Sequence, residues 1–117
     1  MASRIDPIPR RGTLVGMSSR IFYAVTATLP DEATLCEYIA WLEGGHVEAV
    51  IKGGAHSVMI VRLEGEPVRI ETQYIFSTRE RFEQYEQKHA PALRADGMQR
   101  FGSGRGVSFE RRVGEIV

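Results

Sequence analysis

Hydrophobic and polar positions along this chain change period in a fixed order. Residues 20–28 alternate: Tyr23, Val25 and Ala27 fall on one side, Phe22, Ala24, Thr26 and Thr28 on the other, the two-residue repeat of a strand. After Pro30 the period lengthens. Leu35, Tyr38, Ile39 and Leu42 lie at i, i+3, i+4 and i+7, the apolar stripe of a helix, with Asp31 placed to accept its first free backbone N–H groups. Gly44-Gly45 interrupts the stripe, Val47, Val50 and Ile51 suggest one more short helical turn, and Gly53-Gly54 ends it. Residues 55–63 and 68–76 then form a hairpin across Glu64-Gly65-Glu66-Pro67. Ser77-Thr78-Arg79-Glu80 has the pattern of a capping box and opens a second long helix, with Phe82 and Tyr85 on its buried stripe and His89 one turn on. Pro91 restarts a shorter helical piece, Gly102, Gly104 and Gly106 form a loop, and residues 107–113 are the last strand.

Strand, helix, strand, strand, helix, strand is the order of a ferredoxin-like split β-α-β fold. The expected architecture is α+β, a four-stranded antiparallel sheet with two helices on one face, formed by residues 20–117 as a single domain. Residues 1–19, with Pro7, Pro9, Arg10 and Arg11 and no period, read as a flexible N-terminal arm. A weak repeat fits the two-fold character of this fold: His46-Val47-Glu48-Ala49-Val50 and His89-Ala90-Pro91-Ala92-Leu93 both read His, two residues, Ala, aliphatic, and both follow a long helix.

Two helices cover one sheet face, so the other decides the assembly. In the third strand Val68, Ile70, Thr72, Tyr74 and Phe76 suit the helix side, which leaves Arg69, Glu71, Gln73 and Ile75 opposite. The second strand is apolar in both phases, with Met59 and Val61 or with His56, Val58 and Ile60, and reads as buried on both sides. A face of this character is expected to be covered, and the simplest cover is a second copy in a two-fold dimer, the two sheets enclosing a barrel-like space.

Charge narrows the partners. The 15 basic and 15 acidic residues cancel, which gives no general pull toward nucleic acid or an anionic membrane. No apolar run approaches a membrane span. The single cysteine, Cys36, excludes an internal disulfide, and the amino terminus has no apolar signal core, so a cytoplasmic protein is expected.

Candidate chemistry is sparse. His46 and His89 titrate in the right range for a general acid or base, yet each stands at the end of a long helix, where a cation would meet the negative end of the dipole. Three isolated histidines and one cysteine give no metal-ligand spacing, and neither metal nor cofactor is expected. Cys36 has no base placed beside it and reads as a small packing residue. Thr26, Glu71 and Gln73 share the open sheet face. They could be the polar fixtures of a cavity between two sheets or a hydrogen-bonded cluster at the dimer interface, and the second is preferred. Trp41, Tyr38 and Tyr85 could stack on a ligand, but aromatics at helical spacing are first of all core.

Laid out this way, the chain resembles a bacterial family of small proteins known only as a domain of unknown function, in the dimeric α/β-barrel superfamily. The resemblance spans about residues 20–114. It is carried by Tyr23-Ala24-Val25-Thr26, Trp41-Leu42 with His46, Gln73-Tyr74, and above all His89-Ala90-Pro91-Ala92-Leu93-Arg94 followed by Arg100-Phe101-Gly102. It departs at Gly44-Gly45, where the family tends to carry acidic residues before the histidine. The resemblance implies sheet-to-sheet homodimers and no established activity; the superfamily includes cofactor-free monooxygenases, isomerase-like enzymes, haem proteins and ligand-binding regulators. Two readings follow. The preferred one is a non-enzymatic dimeric module that binds a small molecule or a protein. The alternative is a cofactor-independent monooxygenase- or isomerase-like enzyme acting in the barrel, with His46 or His89 carrying the proton and Gln73 orienting the substrate.

Overall fold

The computed structural model describes residues 19–117. Of the expected N-terminal arm, residues 1–18 lie outside the described residues. The chain runs β1 (Ile21–Thr28), α1 (Glu32–Trp41), a π-helical stretch (Leu42–His46), α2 (Val47–Lys52), β2 (Ala55–Arg62), β3 (Arg69–Phe76), α3 (Arg79–Lys88), α4 (Ala90–Phe101), a short 3-10 turn (Ser103–Arg105) and β4 (Ser108–Glu115). The four strands form one antiparallel sheet in the order β2-β3-β1-β4. This is the ferredoxin-like arrangement, with both helical layers on one face.

The local signals explain most boundaries. Asp31 caps α1 by accepting the Thr34 backbone N–H at 2.8 Å. Thr78, rather than Ser77, caps α3, accepting from Arg81 N at 3.1 Å. The expected box therefore shifts by one residue, and its third position is Arg81 instead of Glu80. Both long helices have helical sequels. The second, α4, spans 12 residues against 10 for α3, so it is not the shorter piece expected. Its proline sits in the first turn, where a missing N–H costs no hydrogen bond.

Alternation along the strands sorts the sheet as expected, with one correction. A bulge between Ala55 and Ser57 resets β2, sending Val58 and Ile60 to the helix side and Ser57, Met59 and Val61 to the open side. β2 is an edge strand, and Met59 is 58% exposed on the protomer. The strand is therefore not buried on both sides within one chain. Cys36 is likewise exposed on α1 and does not pack in the core.

Under the helices the core divides in two. One part gathers Ile21, Tyr23, Val50, Tyr74, Phe76, Phe82 and Tyr85. The other gathers Ala27, Leu35, Tyr38, Leu42, Ile70, Phe101 and Val107. Thr72, only 1% exposed, lies on β3 between Ile70 and Tyr74, at the seam. What occupies that seam decides where chemistry is possible.

Candidate functional site

Each sheet face has its own polar feature. On the open face Glu71 is 5% exposed. Its Oε1 accepts from Thr26 Oγ1 at 2.8 Å and from Arg112 Nη2 at 2.7 Å, and its Oε2 accepts from Gln73 Nε2 at 2.6 Å. Burial opposes ionisation of this carboxyl, but the three donors outweigh it and hold its pKa below the ordinary glutamate value. Arg112 also lies over the Phe22 ring, 5.9 Å from its centroid. The sequence placed Thr26, Glu71 and Gln73 together correctly. It missed Arg112, which comes from β4 opposite Ala24. Both oxygens of Glu71 have donors from within the cluster. That is the character of a structural polar cluster.

The helix side is different. At the seam between the two parts of the core, a narrow cavity of about 40 Å³ is bounded by the sheet, α1, the π-helical stretch and α4. Its floor is Tyr23, Thr72 and Tyr74; Trp41 and His46 stand at one side, Leu93, Arg94 and Met98 at another, and Phe109 and Arg111 come from β4. A space of that size admits roughly three waters, or a ligand group of similar bulk.

Local sequence sets up this geometry. Gly45 adopts φ +145°, which ordinary side chains resist, and the helix widens into a π turn closed by a hydrogen bond from the Val47 N–H to the Leu42 carbonyl. In such a turn residues five apart come into line, so the His46 ring stacks on Trp41 with centroids 4.0 Å apart. Trp41 is held from its far edge, where its Nε1–H donates to Asp96 Oδ2 at 3.1 Å. Gly97 on α4 lets the indole approach; a Cβ there would lie 3.3 Å from Trp41 Cη2.

Electrostatics follow from this packing. Burial lowers the His46 pKa to about 4, against a weaker opposing pull from Asp96, so the imidazole is neutral at pH 7. The helix-dipole reading does not suit His46, which is neutral and makes no side-chain capping hydrogen bond. Burial pushes the Tyr38 hydroxyl up to about 12 and drives Tyr74 and Tyr85 well above the ordinary tyrosine value, so all three are protonated donors. Arg94 donates through Nη2 to Tyr23 Oη at 3.2 Å and to Glu86 Oε2 at 2.7 Å.

The five residues singled out by sequence thus divide. Thr26, Glu71 and Gln73 meet on the open face, and His46 lines the cavity on the opposite side of the sheet. His89 is exposed and stands at the C-terminal end of α3, where its backbone N–H donates to the Tyr85 carbonyl at 2.9 Å. An imidazole paired with Gln73 is therefore excluded by topology. Thr72, Arg94 and Arg111 were missed as site residues. The available signal was alternation: Thr72 among Ile70, Tyr74 and Phe76, and Arg111 between Phe109 and Val113, put polar side chains on the face that should be apolar. Among the described residues no group of three or more His, Cys, Asp or Glu side chains is placed to hold a metal ion, and no helix is long and apolar enough to cross a membrane.

Comparison with known proteins agrees with the fold. A dimeric ferredoxin-like protein from an uncultured marine organism aligns with a TM-score of 0.65 at 10% identity, covering 85% of this chain and 95% of that one. Another so described, also from an uncultured marine organism, gives 0.59 at 17% identity, covering 85% and 96%. SnoaB, a cofactor-independent oxygenase from Streptomyces nogalater, gives 0.61 at 7% identity, covering 85% and 94%. No curated protein matches the sequence. Residues 20–116 match the sequence model of a domain of unknown function, DUF4286, and the chain belongs to that family.

Proposed function

We propose that the protein is a homodimer, paired through its open sheet face, and that each protomer binds a small organic molecule in the cavity between sheet and helices. The observation that carries this reading is the seam itself. A domain of this size has little core to spare, yet here it sets a polar threonine, an imidazole and two guanidinium-bearing residues around one space. The dimer is supported by the apolar residues of the open face, Phe22, Ile75, Met59 and Val61, around an already satisfied Glu71 cluster. It is supported also by the dimeric ferredoxin-like proteins that share the fold.

A second reading adds chemistry, and a specific observation favours it. His46 is neutral and has no hydrogen-bond partner in the described structure; its ring is held only by stacking on Trp41. A neutral, unpartnered imidazole at the wall of a cavity can take a proton from a bound carbon acid, leaving an enolate and an imidazolium, provided the enolate's charge offsets the burial that weakens this base. Isomerase-like and cofactor-independent oxygenase-like reactions both begin with such a step, and one protein of this fold, SnoaB, is a cofactor-independent oxygenase.

Light scattering at micromolar concentration tests the dimer; a monomeric mass rejects it. Saturable chemical-shift changes confined to Tyr23, Trp41, His46 and Thr72 in a fragment titration test the cavity. Deuterium uptake into a bound 1,3-dicarbonyl, lost in His46→Gln while binding persists, separates the enzyme from the simple binder. Equal uptake in both proteins rejects the imidazole as base.

A further inference from the structure

Among the described residues, two buried side-chain polar atoms lack any hydrogen-bond partner: Thr72 Oγ1 and Arg94 Nε. Such atoms are rare in folded proteins because each costs its full desolvation. These two belong to residues on opposite walls of the same cavity, Thr72 on β3 and Arg94 on α4. The Tyr38 hydroxyl approaches Thr72 too loosely to satisfy it.

The rest of the lining has one chemical sense. The hydroxyls of Tyr74 and Tyr85 are kept protonated by burial and so are donors. Arg111 makes no ion pair or hydrogen bond among the described residues, and both it and Arg94 lie close enough to Tyr85 to act on its charge. No carboxylate lines the space. Outside the lining, Glu86 already pairs with Arg94 Nη2, which leaves Arg94 Nε facing the space, and Asp96 is engaged with Trp41 Nε1 and Arg100. Neutral His46 adds no cation. Many donors, an unpaired guanidinium and no acidic residue make a site that prefers a negative ligand with acceptor atoms only.

We propose that the cavity is selective for a carboxylate, held between the Arg94 and Arg111 guanidiniums with Thr72 and the tyrosine hydroxyls donating around it. This rests on the reading of the cavity as the ligand site and names the class of ligand. The space fits a carboxylate head of about three or four heavy atoms. A longer body would leave past Trp41, His46 and Leu93, which also line a shallow groove on the outer surface beside Gly44, Gly45 and Arg100. The functional ligand is thus a carboxylic acid with a flat or slender apolar part.

Propionate and its neutral isostere propionamide discriminate. Titrated into the full chain, propionate should shift the Arg94 Nε–H resonance and the backbone signals of Thr72 and Tyr74, saturating in the millimolar range. Propionamide should bind at least tenfold more weakly. Arg111→Met, at an exposed position that should not disturb folding, should weaken propionate at least fivefold and leave propionamide unchanged; Arg94→Lys should do the same with loss of the Nε–H signal. Equal binding of the two probes at these residues would overturn the carboxylate assignment while leaving the cavity as a ligand site. If neither probe, nor a neutral aromatic such as phenol, perturbs these residues, both readings fall.

Discussion

Glu71 and Thr72 are neighbours on β3, both buried and both polar, and they face opposite ways. Glu71 has three donors from three other side chains. Thr72 has none. On the open face the polar residue completes its own surroundings and needs nothing further, which suits a surface that packs against a copy of itself. On the helix face the polar residue is desolvated without compensation, and its neighbours are donors in the same condition. The same strand thus separates a polar group that stabilises the fold from one that the fold tolerates at a cost. In a small domain the second kind calls for a functional explanation.

Acid should pull the two faces apart first. His46 is depressed by burial, Glu71 by its donors. For His46 the unfolded chain binds the proton more readily than the folded one between the ordinary value of 6.5 and the folded value of about 4. Stability is therefore fully present above pH 6.5 and drains away as pH falls toward 4, by on the order of 3 kcal/mol. Glu71 also has a folded pKa below its ordinary value of 4.5, so its contribution is lost only at lower pH, as the solution passes through the folded pKa. Urea midpoints from pH 7.5 to 3 should fall in two stages. His46→Gln should remove the upper stage and Glu71→Gln the lower. A single stage unaffected by His46→Gln would mean that the imidazole is not desolvated.

Next in size is Glu71→Ala. It strands Thr26 and Gln73 and leaves Arg112 without its carboxylate on the proposed interface. A loss of about 2 kcal/mol is expected, with a weaker dimer, measured by denaturation at two protein concentrations. Gly97→Ala comes third. The new methyl would press on Trp41 at 3.3 Å, and the indole, tied to Asp96, can yield only by disturbing the His46 stack. A cost of about 1 kcal/mol is expected, with a rise of the His46 pKa toward 6.5 as water reaches the ring, followed by its NMR titration.

The fold was legible because its signals are local and redundant: the two helix starts, the breaks at glycine and proline, and the alternation of β1 and β3 all agree. Even so, His56 could not be seen as the extra residue of a bulge, and that uncertainty left β2 readable in two phases. The open-face cluster was legible in part, since Thr26, Glu71 and Gln73 follow from alternation in β1 and β3. Arg112 depends on the pairing of β4, which no local pattern reveals. The cavity was the least legible. Trp41, Tyr38 and Tyr85 do pack as core, as aromatics at helical spacing should, and they line the space as well. A cavity is the failure of two clusters to close on each other, a tertiary property with no period. What the chain did carry were Thr72 and Arg111 on an apolar face, and those exceptions to the pattern mark where the cavity lies.

The smallest expected change is the one that tests the contrast most directly. Thr72→Val keeps the shape of the side chain and removes the hydroxyl. If Thr72 were satisfied as Glu71 is, the loss of its hydrogen bond would cost about 1 kcal/mol. Because Thr72 Oγ1 has no partner, removing it ends a desolvation cost instead, and stability should stay level or rise by up to about 1 kcal/mol. Binding should move the other way, with propionate weakened severalfold, since the hydroxyl is one of the donors around the carboxylate. A polar group whose deletion helps the fold and harms the ligand is retained for the ligand. A variant that is less stable and binds propionate as before would show that Thr72 has the same role as Glu71, and that the two faces of the sheet do not differ in kind.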